Sequence, residues 1–223
     1  MKRYVFMMAV LMIFVLASTC SSHAAIEEKT EENETEGIDY LVLVNKENKL
    51  PDDWEDKINL ASEIDIDGDE VQVEVEALEQ YKKLREDLLT EGIDIELDSC
   101  YRSVAAQEEI MEQFKKERGE EYANKYVAVP GYSEHHTGLA IDICIIKDNV
   151  VIDDNDLMIA ETEIFAKIHE KLPEYGFILR YLEENENVTG YSYEPWHLRY
   201  VGSIEVAQEI TEQGLTLEEY LTK

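Results

Sequence analysis

Two short segments of this 223-residue chain carry residue types suited to hydrolytic metal chemistry. The first is Ser133-Glu134-His135-His136-Thr137-Gly138-Leu139-Ala140-Ile141-Asp142, and the second is Glu194-Pro195-Trp196-His197. Two imidazoles and a carboxylate close three corners of a zinc tetrahedron, and a further carboxylate can take a proton from water at the fourth.

The elements that would position these groups follow from the local pattern. His135 and Asp142 are seven residues apart with Gly138 between them, too irregular for one helix face but suited to a loop that turns at the glycine into a strand. Leu139, Ile141, Ile143 and Ile145 alternate with Ala140, Asp142 and Cys144, the period of a strand, so Asp142 shares a face with small residues. A carboxylate there needs a partner, and a metal would supply one. Tyr191 to Tyr200 reads as extended, because Pro195 forbids a helix interior and pushes Glu194 towards β geometry.

The other histidines are weighed against their ordinary roles. His23 falls in a leader and His169 in a helical pattern, so neither is taken as a ligand. His136 adjoins His135; on an extended segment their rings would point to opposite sides, and only one could face Asp142. Spacing alone does not choose between them.

The segment Ser133 to Asp142 matches the pattern SxHxxGxAxD, and Glu194 to His197 matches ExxH. Both resemble the zinc D-alanyl-D-alanine carboxypeptidases of the VanY type, within a wider group that includes lysostaphin-like and hedgehog-like domains. Cys100-Tyr101-Arg102-Ser103 followed by Gln107, Tyr175 to Tyr181, and Leu41 to Lys46 with Leu50-Pro51 extend the resemblance over nearly everything after about residue 40. It implies one zinc per chain, held by His135, Asp142 and His197, with Glu194 as catalytic base and His136 on a variable position. It also implies that Arg102, Gln107 and Ser133 contact the substrate tail. Whether Arg102 grips the ground-state carboxylate or acts catalytically on the developing oxyanion is left open.

The implied substrate is the terminal D-Ala-D-Ala bond of peptidoglycan stem peptides. One alternative is an L,D-carboxypeptidase acting on the tetrapeptide stem, and another is a non-catalytic wall-binding domain on the same scaffold. Such a domain would be expected to have lost its base or a ligand, and here all four positions are filled. No serine or cysteine nucleophile has an evident base partner, which agrees with hydrolysis by an activated water.

Charge and leader bound the setting. Asp and Glu number 51 against 20 Lys and Arg, a formal net charge of -31, which repels nucleic-acid phosphates and excludes a nucleic-acid partner. Residues 1–24 read as a signal peptide or lipoprotein leader: Met1-Lys2-Arg3, then an apolar run from Tyr4 to Ala17. That run falls short of the roughly 20 residues of a spanning helix. Cleavage after Ser22-His23-Ala24 would release the protein, whereas Leu16-Ala17-Ser18-Thr19-Cys20 resembles a lipobox that would anchor it through lipid on Cys20. The expected location is extracytoplasmic, secreted or on the outer face of the membrane. Residues 25–39 read as an acidic linker and 40–223 as one peptidase domain. Outside the leader, Cys100 and Cys144 end strand-like runs, and either a disulfide or two separate buried thiols fits.

The expected fold is α+β, a mostly antiparallel sheet with helices packed on one side. Tyr40–Val44 reads as a short strand or extended arm. Val75–Thr90 reads as an amphipathic helix with Leu78, Tyr81, Leu84, Leu88 and Leu89 inward and Gly92 at its end. A strand is expected at Ile93–Leu97, helices at 104–118, 120–127, 161–171, 204–212 and 217–221, and strands at 177–180 and 190–193. Asp65-Ile66-Asp67-Gly68-Asp69 lacks the spacing of a calcium loop and reads as a turn before the next helix.

Overall fold

The amphipathic stretch that begins at Val75 closes on the apolar face of an antiparallel sheet, and this packing forms the core of the protein. The computed structural model describes residues 37–223; the expected leader, Cys20 and the expected linker up to residue 36 lie outside them. In chain order the elements are α1 (Trp54–Lys57), β1 (Leu60–Ile64), β2 (Glu70–Glu74), α2 (Val75–Thr90), β3 (Asp94–Ser99), α3 (Val104–Arg118) and α4 (Glu120–Tyr126). There follow β4 (Ala140–Lys147), β5 (Val150–Ile152), α5 (Asn155–Ala160), α6 (Thr162–Lys171), β6 (Phe177–Leu179), α7 (Glu186–Thr189), β7 (His197–Tyr200), α8 (Ile204–Glu212) and α9 (Leu217–Leu221). The class is α+β. The main sheet runs β3-β4-β7-β6 with β5 paired to β4, and every pairing is antiparallel.

Helix α2 starts where the Glu74 carboxylate accepts from the amides of Glu76 and Ala77, at 2.9 and 3.0 Å. It ends where Gly92, at φ +80°, lets the Ile93 amide reach back to the Leu88 carbonyl. Leu78, Tyr81, Leu84 and Leu88 are buried as expected, but Leu89 is 52 % exposed, because it lies past the edge of the inward stripe. Ile95 and Leu97 of β3 and Ile141, Ile143 and Ile145 of β4 meet α2 and Phe165 and Ile168 of α6 in one cluster.

Helices are not confined to one side. A smaller cluster joins Ile178 and Val201 to Ala207, Ile210 and Leu217 of α8 and α9, because Ile178 faces away from its neighbours Phe177 and Leu179. Among the described residues no helix is long and apolar enough to cross a membrane.

Several local expectations are corrected. Tyr40–Val44 and Gly190–Tyr193 form no strands; they run as turns and loop. Asp65–Asp69 is a turn, but one that joins β1 to β2 in a hairpin instead of leading directly into a helix. The Asp65 carboxylate serves the amides of Asp67 and Asp69, at 3.0 and 2.8 Å, as an Asx turn does.

Cys100 and Cys144 are free and buried, so the disulfide alternative is set aside. The register pairs Cys144 with Glu96 and Asp142 with Ser99. Cys100 therefore lies about 10 Å further along the ladder, beyond the roughly 7 Å Cα separation a disulfide tolerates. Burial pushes both thiols up in pKa. Alkylation of the unfolded protein without reductant is expected to label both residues, read by peptide mass. Labelling of this pair only after reduction would contradict the register.

Candidate active site

Strand register sets the core of the site. Asp142 of β4 stands directly opposite His197 of β7, and Ala140 opposite Arg199, so all four share the sheet face away from α2. The small Ala140 leaves room for the buried Arg199 side chain. A bulge in β3 between Leu97 and Ser99 breaks the alternation, and Asp98 there lines the same cleft.

His135 arrives from a 3₁₀ turn, Glu134–Thr137, and not from an extended segment. Gly138, at φ +69°, closes that turn, and a Cβ there would sit 2.5 Å from Ile58 Cδ1. Trp54 Nε1 donates to the Thr137 carbonyl at 3.1 Å and pins the turn from below. The turn also separates the adjacent histidines. His135 faces Asp142, whereas His136 Nδ1 lies 2.6 Å from the Arg102 carbonyl and its Nε2 accepts the Gly131 amide at 3.1 Å. Both nitrogens of His136 are thus engaged with backbone.

The second segment is a turn, not the extended run expected. The His197 amide bonds back to the Glu194 carbonyl at 3.2 Å, which makes Glu194 to His197 a β-turn with Pro195 in its favoured second place. A turn brings the first and fourth residues together, and Glu194 Oε2 stands 3.9 Å from His197 Nδ1. His169, on α6, holds the Pro195 carbonyl at 2.9 Å from its Nε2 and so braces this turn.

His135 Nε2 is 3.2 Å from Asp142 Oδ2, and His197 Nδ1 is 2.8 Å from Asp142 Oδ1. One ligand atom from each residue lies within 4.8 Å of the others. The partners behind the rings decide which nitrogen is free. His135 Nδ1 is 2.8 Å from the Cys100 carbonyl, which can only accept, so the proton sits there and Nε2 presents its lone pair. His197 Nε2 is 3.1 Å from the Glu134 carboxylate, which leaves Nδ1 for a cation. Asp142 Oδ1 is buried yet receives no hydrogen bond. A buried carboxylate whose two oxygens face one inward ring nitrogen each suits a divalent metal of zinc type, bound at about 2.0–2.2 Å from N and O donors.

Electrostatics reinforce this. Burial alone would raise Asp142, but His135 and His197 outweigh it and hold the carboxyl below its usual range. Burial alone would lower His197, yet Asp142 and Glu134 lift it to about 10, the response of an imidazole in a site shaped for positive charge. Burial raises Glu194. With a side chain 30 % exposed at the cleft, it is a carboxylate of increased basicity.

The cleft, about 420 Å³, is lined by Arg102, Gln107, Ser133, His135, Asp142, Glu194 and His197, so every residue selected from the sequence reaches it. Arg102 Nε is buried without a partner among the described residues, and its backbone is clamped to both histidines. Gln107 spends its amide nitrogen on the Ala128 carbonyl at 2.8 Å and leaves Oε1 unpaired.

Sequence reasoning missed Glu134. Its carboxylate is buried, and its Oε1 accepts from Arg180 Nε at 2.7 Å and Arg199 Nη1 at 2.6 Å while Oε2 faces His197. Burial would raise it, but the two guanidiniums and His197 hold it far below the usual range. The available signal was Arg180 and Arg199, each inside an apolar strand-like run, since a buried guanidinium demands a carboxylate.

Two imidazoles and a carboxylate converging on one point, open to a cleft with a basic carboxylate beside it, define a metal-dependent hydrolase site on an antiparallel α+β scaffold. The sequence profile of the VanY D-alanyl-D-alanine carboxypeptidases matches residues 70–203, and the chain belongs to that family. It is 39 % identical over 192 residues to the bifunctional D-Ala-D-Ala dipeptidase and carboxypeptidase VanXYC of Enterococcus gallinarum, covering 82 % of this chain and 94 % of the relative. Among solved structures it is similar to the LD-carboxypeptidase LdcB, at TM-score 0.69 and 33 % identity over 82 % of this chain and 86 % of that one. It is also similar to the zinc complex of a variant of the vancomycin-resistance D,D-pentapeptidase VanY, at TM-score 0.63 and 32 % identity over 82 % and 98 %.

Proposed function

We propose that the protein is a zinc-dependent D-alanyl-D-alanine carboxypeptidase that removes the terminal D-alanine from peptidoglycan stem peptides. The observation that carries this reading is the convergence of His135, Asp142 and His197 beside Glu194, in a chain of the VanY family. His135 Nε2, Asp142 and His197 Nδ1 would hold the metal. When bound, zinc polarises a scissile carbonyl and lowers the pKa of water towards about 7. Glu194 takes the proton of the attacking water and returns it to the leaving amine, a role its raised pKa favours. Arg102 pairs with the free carboxylate of the substrate, with Ser133 beside it, while the unpaired Oε1 of Gln107 is left to accept a substrate N–H. A wall substrate, together with the leader-like residues 1–24, supports action outside the cytoplasm.

A guanidinium poised for a carboxylate makes the reading testable. Amidating the terminal D-alanine leaves Arg102 without its charged partner and is expected to cost about 2 to 3 kcal/mol in kcat/KM. Arg102→Ala is expected to erase most of that preference. Equal cleavage of free-acid and amidated peptides by the unmodified enzyme would point to an endopeptidase instead. Mass analysis of products from pure penta- and tetrapeptide muropeptides separates the D,D from the L,D activity.

A further inference from the structure

The last helix of the chain is tied to a proposed metal ligand through a line of buried charges. Arg180 has no exposed side-chain surface and bridges two carboxylates: its Nε donates to Glu134 Oε1 at 2.7 Å, while Nη1 and Nη2 fork onto both oxygens of Glu218 on α9, at 2.9 and 2.7 Å. Asn45 Nδ2 donates to Glu218 Oε1 at 3.0 Å and steadies it from the other side. Glu134 divides its work, one oxygen for the two arginines and the other for His197 Nε2.

We infer that Glu218 is a positioning residue for the metal site, acting through Arg180 and Glu134 on the orientation and basicity of His197. This rests on the reading of His197 as a zinc ligand. Two guanidiniums on one Glu134 oxygen over-compensate a single negative charge, and Glu134 is then a poor acceptor for the imidazole N–H. The bidentate pair with Glu218 takes up part of the Arg180 charge, so Glu134 keeps enough density on its second oxygen to bind His197 and raise the donor strength of the ring's other nitrogen. Glu218 is not needed to start its own helix. That task falls to Thr216 and Glu219, which form a reciprocal capping box.

The test measures zinc affinity of the full chain by competition with a chromophoric chelator, with thermal unfolding as a check on the fold. Glu218→Gln keeps the shape and removes the charge, and is expected to weaken zinc binding about 10-fold, the scale of outer-shell changes. Glu219→Gln removes a neighbouring charge on the same helix while a glutamine can still close the capping box, and it is expected to stay within about twofold of the unmodified chain. In a Glu134→Gln background, Glu218→Gln is expected to add little, since the relay is already broken. Should Glu218→Gln fail to fold, Arg180→Lys tests the same link, because an ammonium lacks the planar fork that pairs bidentately with Glu218 along one edge while Nε holds Glu134, and the same loss of about 10-fold is expected. Unchanged zinc affinity in Glu218→Gln overturns the inference while leaving the metal site intact. So does an equal loss in Glu219→Gln, or an undiminished effect in the Glu134→Gln background. An unmodified chain that binds no zinc overturns the metal reading and this inference together.

Discussion

Asp142→Ala is expected to lose zinc and activity together, with turnover down by more than about 1000-fold, since a bound metal supplies several kcal/mol of transition-state stabilisation. The reason is geometric. Asp142 stands between the two imidazoles, its oxygens 3.2 and 2.8 Å from the facing ring nitrogens, and its Oδ1 receives no hydrogen bond. Without it, two imidazoles remain, with centroids 5.1 Å apart and no carboxylate between them to complete the ligand set. His136→Ala serves as the contrast. Its ring bonds only the backbone of Gly131 and Arg102, so zinc is expected to stay while KM rises as the Arg102 loop loosens. Metal analysis decides the matter: full zinc occupancy in Asp142→Ala would sink the ligand assignment, and loss of zinc from His136→Ala would show that the adjacent histidines were exchanged.

The site was legible in the sequence because its spacing encodes backbone geometry. The seven-residue step from His135 to Asp142 covers a turn closed by Gly138 and the first residues of β4. Alternation along β4 correctly set Asp142 on the small-residue face opposite the isoleucines, and the register with β7 then brings it to His197. The ExxH spacing was read as rigid extended chain, yet its meaning is a β-turn: a proline in second place suits both geometries, and only the hydrogen bond from His197 back to Glu194 distinguishes them. Helices with a clear apolar stripe, such as the 16-residue α2 and the shorter α8, declare themselves through periodicity. The hairpin β1–β2 does not, because its strands are only five residues long and among their residues only Val73 and Glu74 are buried, so the alternation is short and weak. Glu134 was hidden for a different reason. In a chain with 51 acidic residues one more glutamate carries no signal, and only its buried arginine partners, far along the sequence, give it a role. Charge pairing across 46 and 65 residues is a tertiary fact that local patterns do not contain.

Glu194→Gln is expected to retain zinc and substrate binding while turnover falls by about 100-fold or more. The amide keeps the shape of the side chain and its place in the β-turn, whose bond to His197 runs through the backbone carbonyl. What it cannot do is accept a proton. Glu194 Oε2 lies 3.9 Å from His197 Nδ1, close enough to flank a group on the metal but beyond a direct hydrogen bond to the ring. Its side chain reaches the cleft, so a water and the leaving amine can both meet the same oxygen in turn. Burial raises its pKa, and the attraction of His197 and His135 opposes that rise without cancelling it. A base of raised pKa takes the first proton more readily, and the acid it becomes is still strong enough to protonate the amine. The expected signature is therefore a fall in kcat with KM nearly unchanged, at full metal content. Near-normal kcat in Glu194→Gln would refute the proton-shuttle role, and a loss of zinc in that variant would make Glu194 a ligand instead of a base.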